Sequence, residues 1–359
     1  MKVAVFLPSG SLGGAEQVLL QIANAYSDNG AAVTVYLLTN LKATEFEKKL
    51  RSEINLICFD AARESKGIFK ILVHFLFKFG QNKFDYAYSS HVHLNAFVSV
   101  LRRLSLIKIN KHIVRESTLI FNRFKGYKLK LFSFLYNVGY SKVDLIICQT
   151  ELMKVQLVEN KPKLQNRKVV VINNPITLLG KDLTSLNPLP NREYIVSAGR
   201  LIPEKGFDIL IEAFKVLSRQ HPALELVILG EGSSRNNLEK QIDTAALNGK
   251  VHLVGFVENV YSYFTYAKMC VVSSRIEGFP NVLLQMMSCN NRVVSTLCAG
   301  GIENIKGVTT CKTGDTSDLI EAISQSMRIE ETYTRKVFDE FLSNNDITKY
   351  IETVESYLD

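Results

Sequence analysis

Cysteine is scarce. Six residues (Cys58, Cys148, Cys270, Cys289, Cys298 and Cys311) are scattered through 359 positions with no C-x-x-C pair, so neither a disulfide framework nor a thiolate zinc site is expected. Histidine is as sparse, with six in all and His91 and His93 the nearest pair, and no metal is expected. Long apolar runs are missing too. The most apolar segment, 68–79, is broken by Lys70, His74 and Lys78, far short of the roughly 20 apolar residues that span a bilayer. The run before Ser9-Gly10 is too short for a signal peptide and suits a strand, which leads to the expectation of a cytoplasmic protein. No low-complexity stretch occurs. G-x-x-x-x-G-K-[ST] is absent, and the glycine loops miss the G-x-G-x-x-G spacing, which argues against a dinucleotide dehydrogenase.

What is present is ordinary globular composition, 47% hydrophobic and 22% charged, at a length that suits two domains. Charge is unevenly placed: residues 1–190 carry 26 Lys and Arg against 13 Asp and Glu, whereas residues 191–359 carry 17 against 22. Within 63–130 there are 14 basic and 3 acidic residues, interleaved with Phe, Leu, Ile and Tyr. That composition fits a solvated helix face or a basic amphipathic surface that meets anionic lipid headgroups or a phosphate-bearing acceptor. No nucleic-acid module accompanies it, and nucleic acid is not an expected partner.

Apolar β-rich runs at 3–7, 32–38, 54–58, 85–88, 113–114, 145–148 and 169–172 alternate with stretches of helical period, such as 16–29. After a lapse into Gly180, Pro188, Pro190 and polar residues, a second series follows at 194–198, 224–229, 251–254, 269–272, 293–295 and 308–309. The alternation predicts an α/β chain of two doubly wound parallel-sheet domains: 1–177, a linker 178–192, and 193–346. Ligands are expected at the carboxyl ends of the strands, in a cleft between the domains.

The chemistry-bearing residues fall at such ends. Gly10-Ser-Leu-Gly13-Gly14-Ala-Glu16 follows the first run and offers either backbone N–H groups to a phosphate or a tight turn. Gly199-Arg200-Leu-Ile-Pro-Glu-Lys205-Gly206-Phe-Asp208 carries two cations on a strand-to-helix loop, a planar guanidinium and a mobile ammonium, which suit a diphosphate. Gly230-Glu-Gly232 and Gly255-Phe256 close two further runs. The richest segment is Ser273-Ser-Arg-Ile-Glu277-Gly278-Phe279-Pro280-Asn281-Val-Leu-Leu-Gln285. Pro280 is expected in the first helical turn, with Glu277 in the preceding loop as a sugar-hydroxyl ligand or a simple helix-start carboxylate, and Gln285 about one turn in.

In this order and spacing, these motifs resemble a retaining glycosyltransferase of family 4, of bacterial surface-polysaccharide type, over nearly the whole chain and most specifically over 194–301. The resemblance implies the GT-B fold, two Rossmann-like domains with a nucleotide-sugar donor held mainly by the second, and a last helix within 347–359 crossing back to the first. It implies that Arg200 and Lys205 bind phosphate, that Glu277 contacts the donor sugar, and that Gly13 and Gly14 lie near the diphosphate. Gly230, Gly255, Phe256, Gly278, Phe279, Pro280, Asn281 and Gln285 complete the expected donor site. Two positions depart from the family: Gln285 stands where a second Glu usually binds the ribose, and the usual His beside the donor sugar is replaced by Arg115 or Glu116. Glu116 is taken with Glu277, Arg200 and Lys205 as a catalytic candidate, and His91, His93, Arg115 and Glu116 as acceptor-side candidates, the histidines also fitting a structural role.

The expected activity is metal- and cofactor-independent hexosyl transfer from a nucleoside diphosphate sugar, first choice a UDP-sugar, to a lipid-linked oligosaccharide or similar acceptor. That acceptor would serve cell-surface polysaccharide synthesis (lipopolysaccharide, O-antigen or capsule), with the protein in peripheral contact with anionic membrane. A nucleotide-sugar epimerase on the same fold, or a catalytically silent partner in an assembly complex, remains as an alternative.

Overall fold

The computed structural model describes residues 1–78, 83–177, 187–189 and 192–359. Most of the linker 178–192, with Gly180 and Pro190, and Phe79 lie outside the described residues. The chain forms two compact units, 1–177 with 345–359, and 178–344.

The first unit is built on seven strands, β1 (Lys2–Leu7), β2 (Ala32–Leu37), β3 (Asn55–Cys58), β4 (Lys83–Ser90), β5 (Lys108–Arg115), β6 (Leu145–Cys148) and β7 (Val169–Val171). They are ordered β3-β2-β1-β4-β5-β6-β7, and every pair is parallel. The second unit holds β8 (Glu193–Ala198), β9 (Leu224–Leu229), β10 (Val251–Gly255), β11 (Met269–Val272), β12 (Val293–Thr296) and β13 (Val308–Cys311), ordered β10-β9-β8-β11-β12-β13 and again all parallel. Each sheet reverses its winding once, at β1/β4 and at β8/β11. Such a reversal opens a crevice beyond the strands' carboxyl ends, because the connections on its two sides leave in opposite directions.

The connecting helices are α1 (Gly14–Asp28), α2 (Ala43–Glu47), α3 (Glu64–Phe77), α4 (Val92–Arg103), α5 (Ile120–Arg123), α6 (Gly126–Gly139), α7 (Glu151–Asn160), α8 (Phe207–Gln220), α9 (Arg235–Thr244), α10 (Val260–Tyr266), α11 (Asn281–Cys289), α12 (Thr316–Ser326), α13 (Glu331–Asn344) and α14 (Ile347–Ser356). Their apolar stripes explain their placement. In α8, Phe207, Leu210, Ile211, Phe214 and Leu217 recur at helical spacing and are buried against Leu226, Ile228 and Val271 of the sheet. α14 turns Ile347, Tyr350, Ile351 and Val354 into the first unit's core, beside Leu19, Ile22 and Tyr26 of α1. Polar ties hold its end: Tyr26 Oη donates to Glu355 Oε1 at 3.2 Å, and Lys111 Nζ and Lys168 Nζ donate to the Leu358 and Tyr357 carbonyls, each at 2.6 Å.

Among the described residues no helix is long and apolar enough to cross a membrane, and no group of three His, Cys, Asp or Glu side chains is placed to hold a metal ion.

Candidate functional site

In the second unit the two loops that flank the sheet reversal meet. After β8 the chain passes Gly199 and the exposed Arg200, makes a short turn over Pro203–Lys205, and starts α8 from Gly206 with φ +63°. After β11, Ser273 to Phe279 form the loop before α11. A Cβ on Gly206 would lie 2.1 Å from the Ser273 carbonyl oxygen, so glycine is what lets the two loops touch. Ser273 Oγ donates to the Lys205 carbonyl at 2.9 Å. Arg275 makes the clamp: its backbone N–H donates to the Glu204 carbonyl, Nη1 donates to the Pro203 carbonyl at 2.7 Å, and the guanidinium grips Asp208 bidentately at 2.8 and 2.6 Å. This grip holds the Asp208 carboxyl below its ordinary range.

The clamp sets the central contact. Lys205 Nζ lies 2.5 Å from Glu277 Oε1, and Ser274 Oγ donates to the same oxygen at 2.8 Å. Both charged side chains are mostly buried, each 18% exposed. The Glu277 backbone N–H donates to the Cys298 carbonyl at 2.8 Å, which fixes the loop from the other side. Gly278 is half-buried, and Phe279 and Pro280 are buried. Pro280 caps α11 in an extended conformation (ψ 102°) rather than sitting in its first turn, so α11 begins at Asn281. The correction is local: the proline's extended ψ makes the helix start one residue later than the sequence pattern predicts. Gln285 then falls on the fifth position of α11 and is half-buried.

The glycines at the neighbouring strand ends carry the backbone ladder beyond the sheet. Gly199 N–H donates to Leu229 O at 2.9 Å and Gly230 N–H donates to Gly255 O at 2.7 Å, while Phe256 is exposed. Arg200 makes no ion pair among the described residues and stands open to solvent.

The first unit orders its own candidates at the β1 and β4 ends. Gly13 is the N-cap of α1, and a Cβ there would sit 2.6 Å from Glu16 Oε2, so the glycine makes room for that carboxylate at the helix N-terminus. Glu16 is buried and reaches His91 Nε2 at 3.5 Å. His91 precedes α4 in the left-handed region, φ +76°, a conformation that costs a non-glycine residue energy. Burial pulls the His91 imidazole down and the Glu16 charge opposes that. His93 pairs with Glu64 at 3.1 Å, and the two imidazole rings lie 5.9 Å apart.

Arg115 and Glu116 are not at the surface. Arg115 is fully buried, with Nη2 donating to Asn174 Oδ1 at 2.6 Å. Glu116 accepts from the Tyr136 and Tyr140 hydroxyls at 2.5 and 2.6 Å. Burial pushes its carboxyl up and the two phenols pull it back. These residues sit buried at the strand ends around β5 and β6.

Two contributors escape a reading of sequence. Ser274 and Arg275 lie inside a segment already singled out but carry no motif of their own.

The chain's two parts match two family models, "Glycosyltransferase Family 4" over residues 12–178 and "Glycosyl transferases group 1" over residues 182–337. An uncharacterized glycosyltransferase of Haemophilus influenzae is 24% identical over 361 residues, covering 98% of both chains. A Campylobacter jejuni enzyme is 33% identical over 175 residues, 48% of this chain and 47% of that one; it is named N-acetylgalactosamine-N,N'-diacetylbacillosaminyl-diphospho-undecaprenol 4-alpha-N-acetylgalactosaminyltransferase. The chain spans about half the length of several of the curated relatives it matches. Among solved structures, HepE of Anabaena in complex with UDP-glucose superposes with a TM-score of 0.79 at 19% identity, over 99% of this chain and 100% of that one. With two parallel α/β units of the GT-B fold and both family models in sequence order, this chain belongs to the family 4 glycosyltransferases.

Proposed function

We propose that the chain transfers a hexose from a nucleoside diphosphate sugar, a UDP-sugar first, to a hydroxyl of a lipid-linked oligosaccharide, with retention at the anomeric carbon. The observation that carries this reading is the Lys205–Glu277 contact at the sheet reversal, made between loops 72 positions apart in sequence. It sets a cation and a carboxylate side by side at the end of the loop that begins with the exposed Arg200, an arrangement able to take a diphosphate and a sugar hydroxyl at neighbouring points. In the reaction the bond from the anomeric carbon to the diphosphate oxygen breaks and the acceptor oxygen bonds to that carbon on the same face. The acceptor proton passes to the departing phosphate. Arg200 and Lys205 offset the charge that develops on the diphosphate, so no metal ion is assigned to the step. The UDP and UDP-glucose named with the Anabaena structures support the donor, and the undecaprenol-linked acceptor in the Campylobacter enzyme's name supports a lipid-linked acceptor.

Thermal unfolding with UDP, GDP, ADP, NAD and their sugars, all in EDTA, tests the donor. UDP at a hundredfold excess over its Kd is expected to raise Tm by about 5 °C, with slow release of sugar from the matching donor. Stabilisation by NAD alone, by nothing, or only after a divalent cation is restored would overturn the reading.

The same proposal includes peripheral contact with anionic membrane. Its support is α6, where Tyr127, Leu131 and Phe134 are exposed beside Lys125, Lys128 and Lys130, with no acidic residue between 123 and 134. Each basic residue at an anionic surface contributes about 1 kcal/mol. Sedimentation with anionic vesicles is expected to show binding at low salt that weakens at high salt; absence of binding at either would remove this part.

A further inference from the structure

Two ion pairs join the same two segments of the second unit, and only one of them is assigned to the reaction. Lys205 with Glu277 is the first. Arg275 with Asp208 is the second, Arg275 standing two residues before Glu277 and Asp208 three residues after Lys205, in the first turn of α8. The pairs differ in what a donor would do to them. In the proposed reaction Lys205 turns to the diphosphate and Glu277 to a sugar hydroxyl, so their contact is shared with the ligand at the step where the spacing of the loops counts most. Arg275 has no such second task. Its guanidinium is taken up by the loops themselves: Nη1 donates to the Pro203 carbonyl at 2.7 Å and to Asp208 Oδ1 at 2.8 Å, and Nη2 donates to Asp208 Oδ2 at 2.6 Å. The Arg275 backbone N–H donates to the Glu204 carbonyl at 2.7 Å. That backbone bond alone would leave one loop free to turn about it, whereas a planar guanidinium with three further bonds, to the Pro203–Lys205 turn and to α8, fixes the angle as well. The two side chains are 37% and 48% exposed, and ion pairs so exposed add little to stability. Holding position is what this geometry suits.

We propose that Arg275, acting through Asp208, is a positioning residue for the sugar-transfer step: it keeps the loop of Glu277 aligned with the loop of Lys205 while those two side chains are engaged with the donor. The inference rests on the donor reading above and adds to it the part that holds the two charged groups at working distance. Its effect belongs to the transition state. Ground-state binding of the donor is shared with Arg200 and the glycine backbone, so a loosened clamp lowers the rate before it lowers the affinity.

The test uses the intact chain in EDTA. Release of sugar from UDP-glucose, UDP-N-acetylglucosamine, GDP-glucose and ADP-glucose finds the donor that wild type hydrolyses, and calorimetric titration follows the matching nucleoside diphosphate. Arg275→Met, Arg275→Lys, Asp208→Asn and the Arg275→Met/Asp208→Asn double variant are then compared. Arg275→Met is expected to lower kcat about 10- to 100-fold, the scale of a misplacement of about 1 Å. KM and nucleotide affinity should change less than about threefold, with one nucleotide still bound per chain. Full stoichiometry separates this loss from that of a merely structural residue, which would leave part of the protein unfolded and unable to bind. Asp208→Asn should fall in parallel and the double variant little further, since the two side chains form one clamp. Arg275→Lys keeps the charge without the fork and should recover only part of the rate. Wild-type kcat in Arg275→Met, or a loss that appears as weakened or substoichiometric binding, overturns the inference. So does wild-type kcat in Asp208→Asn beside a slow Arg275→Met, which would show the guanidinium acting on the diphosphate directly. Wild type that binds none of the three nucleotides, or hydrolyses none of the four donors, fails before any variant is made and removes the reading beneath the inference as well.

Discussion

Glu277→Ala is expected to lower kcat/KM for sugar transfer by about 10²- to 10³-fold, the scale seen when one preorganised polar group is taken from a transition state. The carboxylate has two jobs in the proposed reaction. It accepts from a donor-sugar hydroxyl, and it holds Lys205 Nζ at 2.5 Å, where that ammonium can meet the diphosphate. Alanine removes both at once. The loss should appear mainly in kcat, because charge on the leaving diphosphate grows toward the transition state and ground-state binding is shared with Arg200 and the glycine backbone. Glu277→Gln keeps an acceptor oxygen without neutralising Lys205, and should fall between wild type and alanine. Lys205→Ala should cost a similar factor, and the double variant little more than either single, since the two side chains form one contact. The fold is not at stake: the tie from Glu277 N–H to the Cys298 carbonyl belongs to the backbone and survives in the alanine variant. An alanine enzyme retaining more than about a tenth of wild-type turnover would sink the assignment of Glu277.

The strands of both sheets stand out in the sequence because each is covered on both faces and therefore reads as a continuous apolar run, as in Leu145-Ile-Ile-Cys148. Where cover runs out, the reading shortens. β5 spans Lys108–Arg115, yet only 113–114 stand out, because its first residues alternate exposed Lys108 and Asn110 with buried Ile109. β4 begins earlier than its apolar run for the same reason. The basic, apolar-interleaved stretch ends not in one helix but in two, α5 and α6, parted at Phe124 and Lys125, both extended. α13 leaves almost no trace: only Thr334, Phe338 and Leu342 are buried, a stripe one residue wide on an otherwise charged helix. At the site, residue types and loop positions are legible because the glycine, cation and carboxylate motifs sit just after strands. Their partners are not. Lys205 with Glu277 and Arg275 with Asp208 are separated by 72 and 67 positions, and only the parallel sheet brings them together. The environment of Glu116 is equally hidden, since two tyrosines 20 and 24 residues downstream make the carboxylate of this candidate a buried hydrogen-bond acceptor.

Gly230→Ala is expected to destabilise the second unit by about 3 kcal/mol or more, a fall in Tm of about 6–12 °C for a unit of this size. Two costs combine. Gly230 has φ +136°, a region that side chains rarely adopt, and a Cβ built there would lie 1.9 Å from the Gly199 carbonyl oxygen and 2.9 Å from its carbonyl carbon. Because the obstacle is backbone, no rotamer change relieves it: the end of β8 must move away from the end of β9. That movement would strain the Gly199 N–H bond to Leu229 O and the Gly230 N–H bond to Gly255 O, each between adjacent strand ends. Gly249→Ala is the internal control. Its φ of +77° is positive too, close to the left-handed region that L-residues can enter, and nothing lies within 4 Å of the added Cβ, so only about 1 kcal/mol is expected. Thermal unfolding of the two variants sets the strained, crowded position against an open one, and equal shifts would show that the approach of Gly230 to Gly199 carries no weight. If the shifts differ as expected, the consequence reaches the site. Gly199 leads directly into Arg200 and the Lys205 turn, so a chain end displaced at Gly230 misplaces both cations. Nucleotide affinity of the Gly230→Ala protein, measured well below its lowered Tm, should therefore fall as well, while that of Gly249→Ala stays near wild type.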